Sequence, residues 1–360
     1  MEILIANKIN HEITPSDVTV ITVTYGDRRS FIDRLIQAVA NEKIFKIIIV
    51  DNGAKWDVDI CKEKYNEEFI SVLKMGKNTG SATGFSAGIE YAINSGSKYL
   101  WLLDDDNKPE CGSLQQLLTQ YIKLCESTPE ENLAVLSYRP AQQIILSSGE
   151  SLKYVNPKKS SFHGFHICDI PHKIRRRIPF IDNHYRKNIP DCVSLDAAPY
   201  GGLFINYKLV KKIGLPRKDF ILYEDDTEYT YRITQDSGKI FCILSSKIED
   251  MEVAWNAVQR FNNSFTAILK GAGDFKAYYN MRNCTYLDEH VRKDNSIIYF
   301  INKNIYISIL KFMSIVHKKP ERFKLLSDAI KDGKNKVMGI KEGLSLPSHQ
   351  NKDISYEDSE

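Results

Sequence analysis

The apolar run Trp101-Leu102-Leu103 ends in three consecutive carboxylates, Asp104, Asp105 and Asp106. Side chains alternate along an extended segment, so Asp104 and Asp106 are expected to point the same way. Two carboxylates on one side of a strand end offer hard oxygen ligands to Mg²⁺ or Mn²⁺, ions held through one or two carboxylates plus substrate phosphates. The competing reading is a solvated acidic turn before a helix starting near Pro109, since charges usually face water. A second acidic group, Glu224-Asp225-Asp226 with Glu228, lies between Tyr223 and Tyr229 and ahead of Arg232, on an expected helix. A helix start favours acids through its dipole, which accounts for part of this run. It does not account for four carboxylates set among aromatic residues. One cluster suits a cation, and the other suits a base that takes a proton from a hydroxyl.

These residues need a scaffold. Residues 18–25 (VTVITVTY) are apolar on both faces and predict a strand inside a parallel sheet, followed by a helix over 28–41. Residues 46–50 (KIIIV) predict a second strand ending in Asp51-Asn52-Gly53, and 69–74 a short third. A helix over 84–94 and a strand over 99–103 complete an alternation that implies right-handed βαβ units. In such sheets ligands bind beyond the carboxyl ends of the strands, where Tyr25, Asp51 and Asp104 to Asp106 all fall. Asp51 there can accept hydrogen bonds from a base or ribose. The loop Asn78-Thr79-Gly80-Ser81-Ala82-Thr83-Gly84 lets backbone approach a ligand closely. It is not a Walker loop, and no GxGxxG follows the first strand. Regular structure is expected to resume over 197–205, with Gly201-Gly202 ahead of LFIN.

Composition narrows the classes. The 360 residues carry 49 Lys and Arg against 46 Asp and Glu, so net charge gives no reason to expect a nucleic-acid partner. Seven widely spaced cysteines without a CxxC pair are expected to be reduced thiols. The start lacks a secretory pattern and no long uncharged apolar run occurs, so a cytoplasmic location is expected. Residues 151–190 are expected to form a basic loop or insertion, with Lys158-Lys159, Arg175-Arg176-Arg177 and four histidines. His163, His166 and His172 invite a zinc site, against which stands the absence of a cysteine pair at ligand spacing; the arginine run suits lipid-linked phosphates or anionic headgroups. Residues 296–316 predict one or two amphipathic helices that pack on protein, with Lys318, Lys319, Arg322 and Lys324 favouring peripheral contact with a membrane.

In order along the chain, TVTYGDR, IIIVDNG, NTGSATGFSAGI, WLLDDDNKP, YGGLFINYKLVKKIGLP, FILYEDDTEYTYRI and YYNMRN resemble family 2 glycosyltransferases. The likeness is to the galactofuranosyltransferase and rhamnosyltransferase branch, and it extends to KDGKNKVMG near the end. It implies a GT-A fold, Rossmann-like, with a mostly parallel central sheet flanked by helices and a helical C-terminal region. The division expected is an extension over 1–14, a catalytic domain over 15–270, helices over 271–345 and a polar tail over 346–360. Within the domain, 15–110 would bind nucleotide and 191–270 acceptor.

Carried over residue by residue, the family pattern puts Thr24, Tyr25, Asp51, Asn78 and Gly80 around the nucleotide sugar. Asp105 falls near the ribose, and Asp104 and Asp106 at a Mn²⁺ or Mg²⁺ site. Asp226 matches the catalytic base, Asp225 a residue that binds sugar hydroxyls, and Gly201, Gly202 and Glu224 lie in the acceptor and donor-sugar vicinity. The family often carries a metal-binding histidine about two dozen residues after the base; here stands Ser246-Lys247-Ile248-Glu249-Asp250-Met251, and Asp250 is the expected substitute. The reaction implied is inverting transfer, from UDP-galactofuranose in the first instance, to a hydroxyl of a lipid-linked bacterial surface polysaccharide such as O-antigen or capsule. The rivals are a dTDP-rhamnose enzyme, a non-catalytic scaffold of a polysaccharide-assembly complex and, more remotely, a metal-dependent phosphohydrolase.

Overall fold

The computed structural model describes residues 13–66, 68–147, 155–175, 190–252, 263–271, 273–344 and 346. Residues 1–12 of the 1–14 extension, most of the 346–360 tail, and Arg176 and Arg177 of the basic run lie outside the described residues, as do the side chains of His172 and Arg175.

Nine strands form the described sheet: β1 (Val18–Gly26), β2 (Lys46–Ala54), β3 (Ile70–Lys74), β4 (Tyr99–Leu102), β5 (Asn107–Pro109), β6 (Leu133–Tyr138), β7 (Cys192–Leu195), β8 (Leu203–Asn206) and β9 (Lys239–Asp250). Helices α1 (Arg29–Asn41), α2 (Ser81–Asn94), α3 (Ser113–Cys125), α4 (Ile144–Ser147), α5 (Ile170–Arg175), α6 (Tyr207–Ile213) and α7 (Asp225–Gln235) accompany it. Four more follow: α8 (Ser264–Lys270), α9 (Asp274–His290), α10 (Ser296–Val316) and α11 (Pro320–Lys334). The expected α/β class, with a central sheet between helices and a helical C-terminal region, is the observed one. The strand order is β3-β2-β1-β4-β8-β6-β9-β5, with β7 beside β9.

The first four strands run parallel, as their two-sided apolar character implies. Alternation sends Val18, Val20, Ile47, Ile49 and Trp101 into one core and Ile21, Val23, Ile48, Val50, Leu100 and Leu102 into another across the sheet. The chain steps outward from β1 to β2 and β3, and β4 then pairs with the other side of β1. That reversal opens a crevice beyond the carboxyl ends of β1 and β4, the usual place for a ligand in such a sheet.

The second half departs from a simple βαβ repeat. Strand β8 is antiparallel to both β4 and β6, and β9 is long enough to serve two edges. Its first part pairs with β6 and β7, the register shifts, and its end pairs with β5, so that Asp250 lies opposite Asn107. The acidic turn is thus closed by a small antiparallel pair, and the helix expected near Pro109 starts at Ser113. A third core, rich in tyrosine and phenylalanine, binds α8 to α11 together and reaches Ile221 ahead of α7.

Candidate active site

Strand β4 ends at Leu102, and Asp104 to Asn107 form a tight turn rather than more strand. Asn107 N–H donates to the Asp104 carbonyl at 3.0 Å, and Asp104 N–H donates to the Asn107 side-chain oxygen at 3.0 Å. Asn107 is fully buried, so the turn is fixed from beneath. Its geometry separates the three acids. Asp105 points inward to Arg28, whose Nε lies 2.7 Å away, while Asp104 and Asp106 keep 36% and 17% of their side-chain surface open to solvent. Arg28 also holds Glu252 at 2.7 Å and lies over the ring of Tyr25. Burial pushes the Asp104, Asp105 and Asp106 carboxyls up to about 6, against the pull of Arg139 on Asp104 and of Arg28 on Asp105.

Asp250 reaches the same place from the end of β9. One of its oxygens accepts Arg139 Nη2 at 2.6 Å and Asn107 Nδ2 at 3.1 Å; the other, Oδ2, is buried without a partner. Arg139 Nη1 lies 3.3 Å from Asp104 Oδ2 and so spans the two carboxylates. Gly201 is a glycine because of this convergence. A Cβ there would sit 2.5 Å from Arg139 Nη1, Asn107 Oδ1 and Asp104 Oδ2 alike. Gly202 adopts φ +98°, a left-handed conformation that suits glycine.

Hard oxygen donors at Asp104 and Asp106, with the unsatisfied Asp250 Oδ2 nearby, fit a divalent cation. Among the described residues no three His, Cys, Asp or Glu side chains converge closely enough to hold an ion unaided. The remaining ligands of such a cation would come from phosphates.

The expected nucleotide residues gather at the ends of β1 and β2. Thr24 is buried and pairs in register with Asp51, while Tyr25 stands 39% exposed at the rim. Asp51 Oδ1 accepts the backbone N–H groups of Gly53 and Ala54 at 3.1 and 2.8 Å. Asn78 turns its side-chain oxygen towards Asn52 and Gly80 N–H. The organiser is a residue that sequence reasoning passed over. Buried Asn52 accepts from Thr79 N–H and Oγ1 at 2.9 and 2.7 Å, and donates to the Gly80 carbonyl at 3.1 Å. Gly80, at φ +86°, packs its α-carbon against the Ile221 carbonyl, where a side chain has no room. The 78–80 loop therefore rests on the strap that leads into the second acidic cluster.

That strap, residues 220–224, is strained. Ile221, Tyr223 and Glu224 have φ of 69°, 65° and 58°, a region costly for non-glycine residues and above all for a β-branched one. Helix α9 holds it there. The amide of fully buried Asn283 donates to the carbonyls of Phe220, Leu222 and Tyr223 at 2.9, 2.9 and 2.8 Å, and Arg282 Nη2 donates to Phe220 at 3.1 Å. Both residues belong to the YYNMRN segment.

Helix α7 then begins with the two acids. Asp225 is buried and accepts the Ser81 hydroxyl at 3.0 Å, a bond across from the start of α2. Half-buried Asp226 accepts Thr227 N–H at 2.6 Å. Burial, with the charge of Asp226 beside it, holds the Asp225 carboxyl well above the usual range. Burial raises Asp226 to about 6, with Glu224 adding to the effect. The sequence alone predicts crowding by Glu224, Asp225 and Glu228 as the cause, since neighbouring like charges disfavour ionisation. The structure gives burial the leading part, and Glu228 is tied to Arg232 along the helix. Glu224, in the left-handed conformation at the helix start, is raised by burial and stabilised as an anion by Arg292.

Asp226 and Thr227 form one wall of a cavity of about 340 Å³. Leu146, Val155 and Leu195 supply apolar lining, while Gln142, Asn156, Lys159 and Arg292 add polar groups. The two acidic clusters act on one another, since the Asp226 charge is among the causes that raise Asp104.

Of the three histidines singled out for zinc, two have described side chains, and these serve structure. His163 is buried against the ring of Tyr306 and held down to about 4 by burial, and His166 Nδ1 accepts Cys168 N–H at 3.2 Å. All seven cysteines are free.

Residues 19–182 match the family described as glycosyl transferase family 2. That match covers the Asp104 to Asp106 turn and stops short of Asp226. No curated protein matches the chain. Among solved structures the chain is similar to GalNAc-T7, crystallised with UDP, GalNAc and Mn²⁺, at 12% identity over 86% of this chain and 59% of that one, with a TM-score of 0.49. It is similar to S. aureus TarS at 11% identity over 88% of this chain and 55% of that one, with a TM-score of 0.43. For TarS 1-349 the figures are 12% identity, 93% and 99% coverage and a TM-score of 0.41. The chain thus spans little more than half the length of the first two. With identities and scores this low, the family match is the comparison that bears on function.

Proposed function

We propose that this chain, whose residues 19–182 form a glycosyl transferase family 2 domain, transfers a sugar from a nucleotide diphosphate to a hydroxyl with inversion. The observation that carries the reading is Asp226: a carboxylate raised to about 6, on the wall of a cavity sized for a sugar, beside a second acidic turn at the crevice of the sheet. The acceptor oxygen forms a bond to the anomeric carbon while the bond from that carbon to the diphosphate oxygen breaks. Asp226 takes the hydroxyl proton, and the nucleoside diphosphate leaves with the electron pair. Burial, with the Asp226 charge beside it, raises the Asp225 carboxyl well above the usual range, so the two neighbouring acids stand in different environments, the arrangement that separates acid and base roles.

Asp104 and Asp106, with Asp250 Oδ2 near, would hold Mn²⁺ or Mg²⁺ together with the donor phosphates; the cation would neutralise charge on the departing diphosphate. Thr24, Tyr25, Asp51, Asn78 and Gly80 would seat the base and ribose, with Asp105 beside the ribose. The donor we favour is UDP-galactofuranose, and dTDP-rhamnose is the alternative; motif likeness alone supports both. The acceptor we favour is a growing, lipid-linked surface polysaccharide. A scaffold without activity is a weaker reading, because backbone strain held in place beside a raised carboxylate is the kind that clusters at functional sites.

The test is incubation of the purified chain with a panel of nucleotide sugars and Mn²⁺, following release of nucleoside diphosphate. Release from one donor, dependent on an acceptor glycan, supports the reading; no release from any donor overturns it.

A further inference from the structure

Helix α10 was expected to pack on protein, and only one side of it does. Tyr299, Asn302, Tyr306 and Leu310 face the third core. Ile297, Phe300, Phe312, Ile315 and Val316 remain between 55% and 73% exposed. Spacings of three and four residues put these side chains on one face of the helix. From 295 to 319 the chain contains no Asp or Glu, against Lys303, Lys311, Lys318 and Lys319. Lys303 turns in to Glu289 at 3.4 Å, whereas Lys311, Lys318 and Lys319 are exposed. No described helix is long and apolar enough to cross a membrane. Large apolar side chains beside an unopposed row of lysines instead have the character of a helix that lies in the plane of an anionic interface.

The buried side of the helix connects this face to the candidate site. Asn302 donates to the Ser160 carbonyl at 2.8 Å and accepts Ile167 N–H at 2.9 Å. The same segment supplies Val155, Asn156 and Lys159 to the cavity beside Asp226.

We propose that the exposed face of α10 docks the protein flat on a bilayer bearing anionic headgroups. The phenylalanine and isoleucine side chains enter the headgroup boundary, and Lys311, Lys318 and Lys319 meet lipid phosphates. A second copy of the chain is a poorer occupant, because its α10 offers the same acid-free surface and no counter-charge. The purpose of docking, bringing a lipid-linked acceptor to the cavity, rests on the proposed sugar transfer; the binding itself does not.

The experiment is sedimentation of the full chain with vesicles of phosphatidylcholine alone or mixed with phosphatidylglycerol. Binding to the anionic vesicles is expected, at least about tenfold stronger than to neutral ones, and weakened by salt. Lys318→Glu/Lys319→Glu should weaken it by more than about fivefold per lysine. Phe300→Ser/Phe312→Ser/Ile315→Ser should abolish it, with the wild-type melting temperature and donor binding retained. The proposal is overturned if neither vesicle binds, if neutral vesicles bind equally well, or if the variants bind like the wild type. A doubled mass in light scattering that the serine variant abolishes would overturn it in favour of a dimer. Vesicle binding by a chain that transfers no sugar would support docking and count against the enzymatic reading alone.

Discussion

Asp226→Asn should inactivate the protein and make it more stable. In the folded chain this carboxyl is raised from 3.8 to about 6, first by burial and then by Glu224. The folded state therefore holds the proton more tightly than the unfolded state does. The group's full contribution to stability is present below about pH 4 and is lost as pH rises through about 6. Two units correspond to ~3 kcal/mol, and partial solvation of the side chain reduces this to ~1–2 kcal/mol. Asparagine keeps the shape and the bond from Thr227 N–H but has no charge to desolvate. At pH 8 its melting temperature should rise by about 1–3 °C, and near pH 4 the difference should vanish. At pH 8 kcat should fall by ~10²–10⁴, with donor affinity nearly unchanged. Thermal melts at the two pH values, together with steady-state kinetics, make the assay. A variant that is equally stable at pH 8, or that gains the same amount at pH 4, would refute the burial argument. A variant with wild-type turnover would refute the role.

Other variants probe the surroundings of that carboxylate. In the wild type, kcat/KM should fall tenfold per pH unit as pH drops below about 6, because the base is then protonated, and a pH series checks this. Asn283→Ala removes the three donor contacts that hold the 220–224 strap, so kcat should fall by ~10–100-fold while donor KM moves little, as steady-state kinetics will show. Gly201→Ala forces a Cβ to within 2.5 Å of Arg139, Asn107 and Asp104, and calorimetry should show weakened binding of Mn²⁺ with nucleotide in a folded protein. Asp104→Ala and Asp106→Ala should abolish that binding, whereas Asp250→His should retain more of it than Asp250→Ala, a ranking the same titration reads.

The first half of the fold was legible because its strands are buried on both faces and its helices alternate with them, so periodicity and topology coincide. Helix α10 was legible to its end residues, though not its exposure, since apolar character alone does not say which side meets water. The acids were found by type and clustering, and their surroundings were not. Asn52, Asn107, Arg139, Ser81 and Asn283 act across 26 to 144 residues of chain, and no local pattern marks such a partner. The signal available was the motif segments themselves: Asn52, Ser81, Asn107 and Asn283 lie within them, as does Arg28, three residues after Tyr25, whereas Arg139 does not. The raised Asp226 carboxyl shows the same limit: Glu224 contributes as crowding implies, but Glu228, close in sequence, is tied to Arg232, and the larger cause, burial, comes from elements that the sequence does not place beside it.

The central claim is single-displacement sugar transfer with Asp226 as base, and the anomeric configuration of the product tests it most directly. Proton NMR should follow the wild-type chain, the donor identified by nucleotide release, and an acceptor glycan. The account predicts one nucleoside diphosphate released per glycosidic bond formed, and an anomeric configuration opposite to that of the donor. Retention of configuration would contradict it.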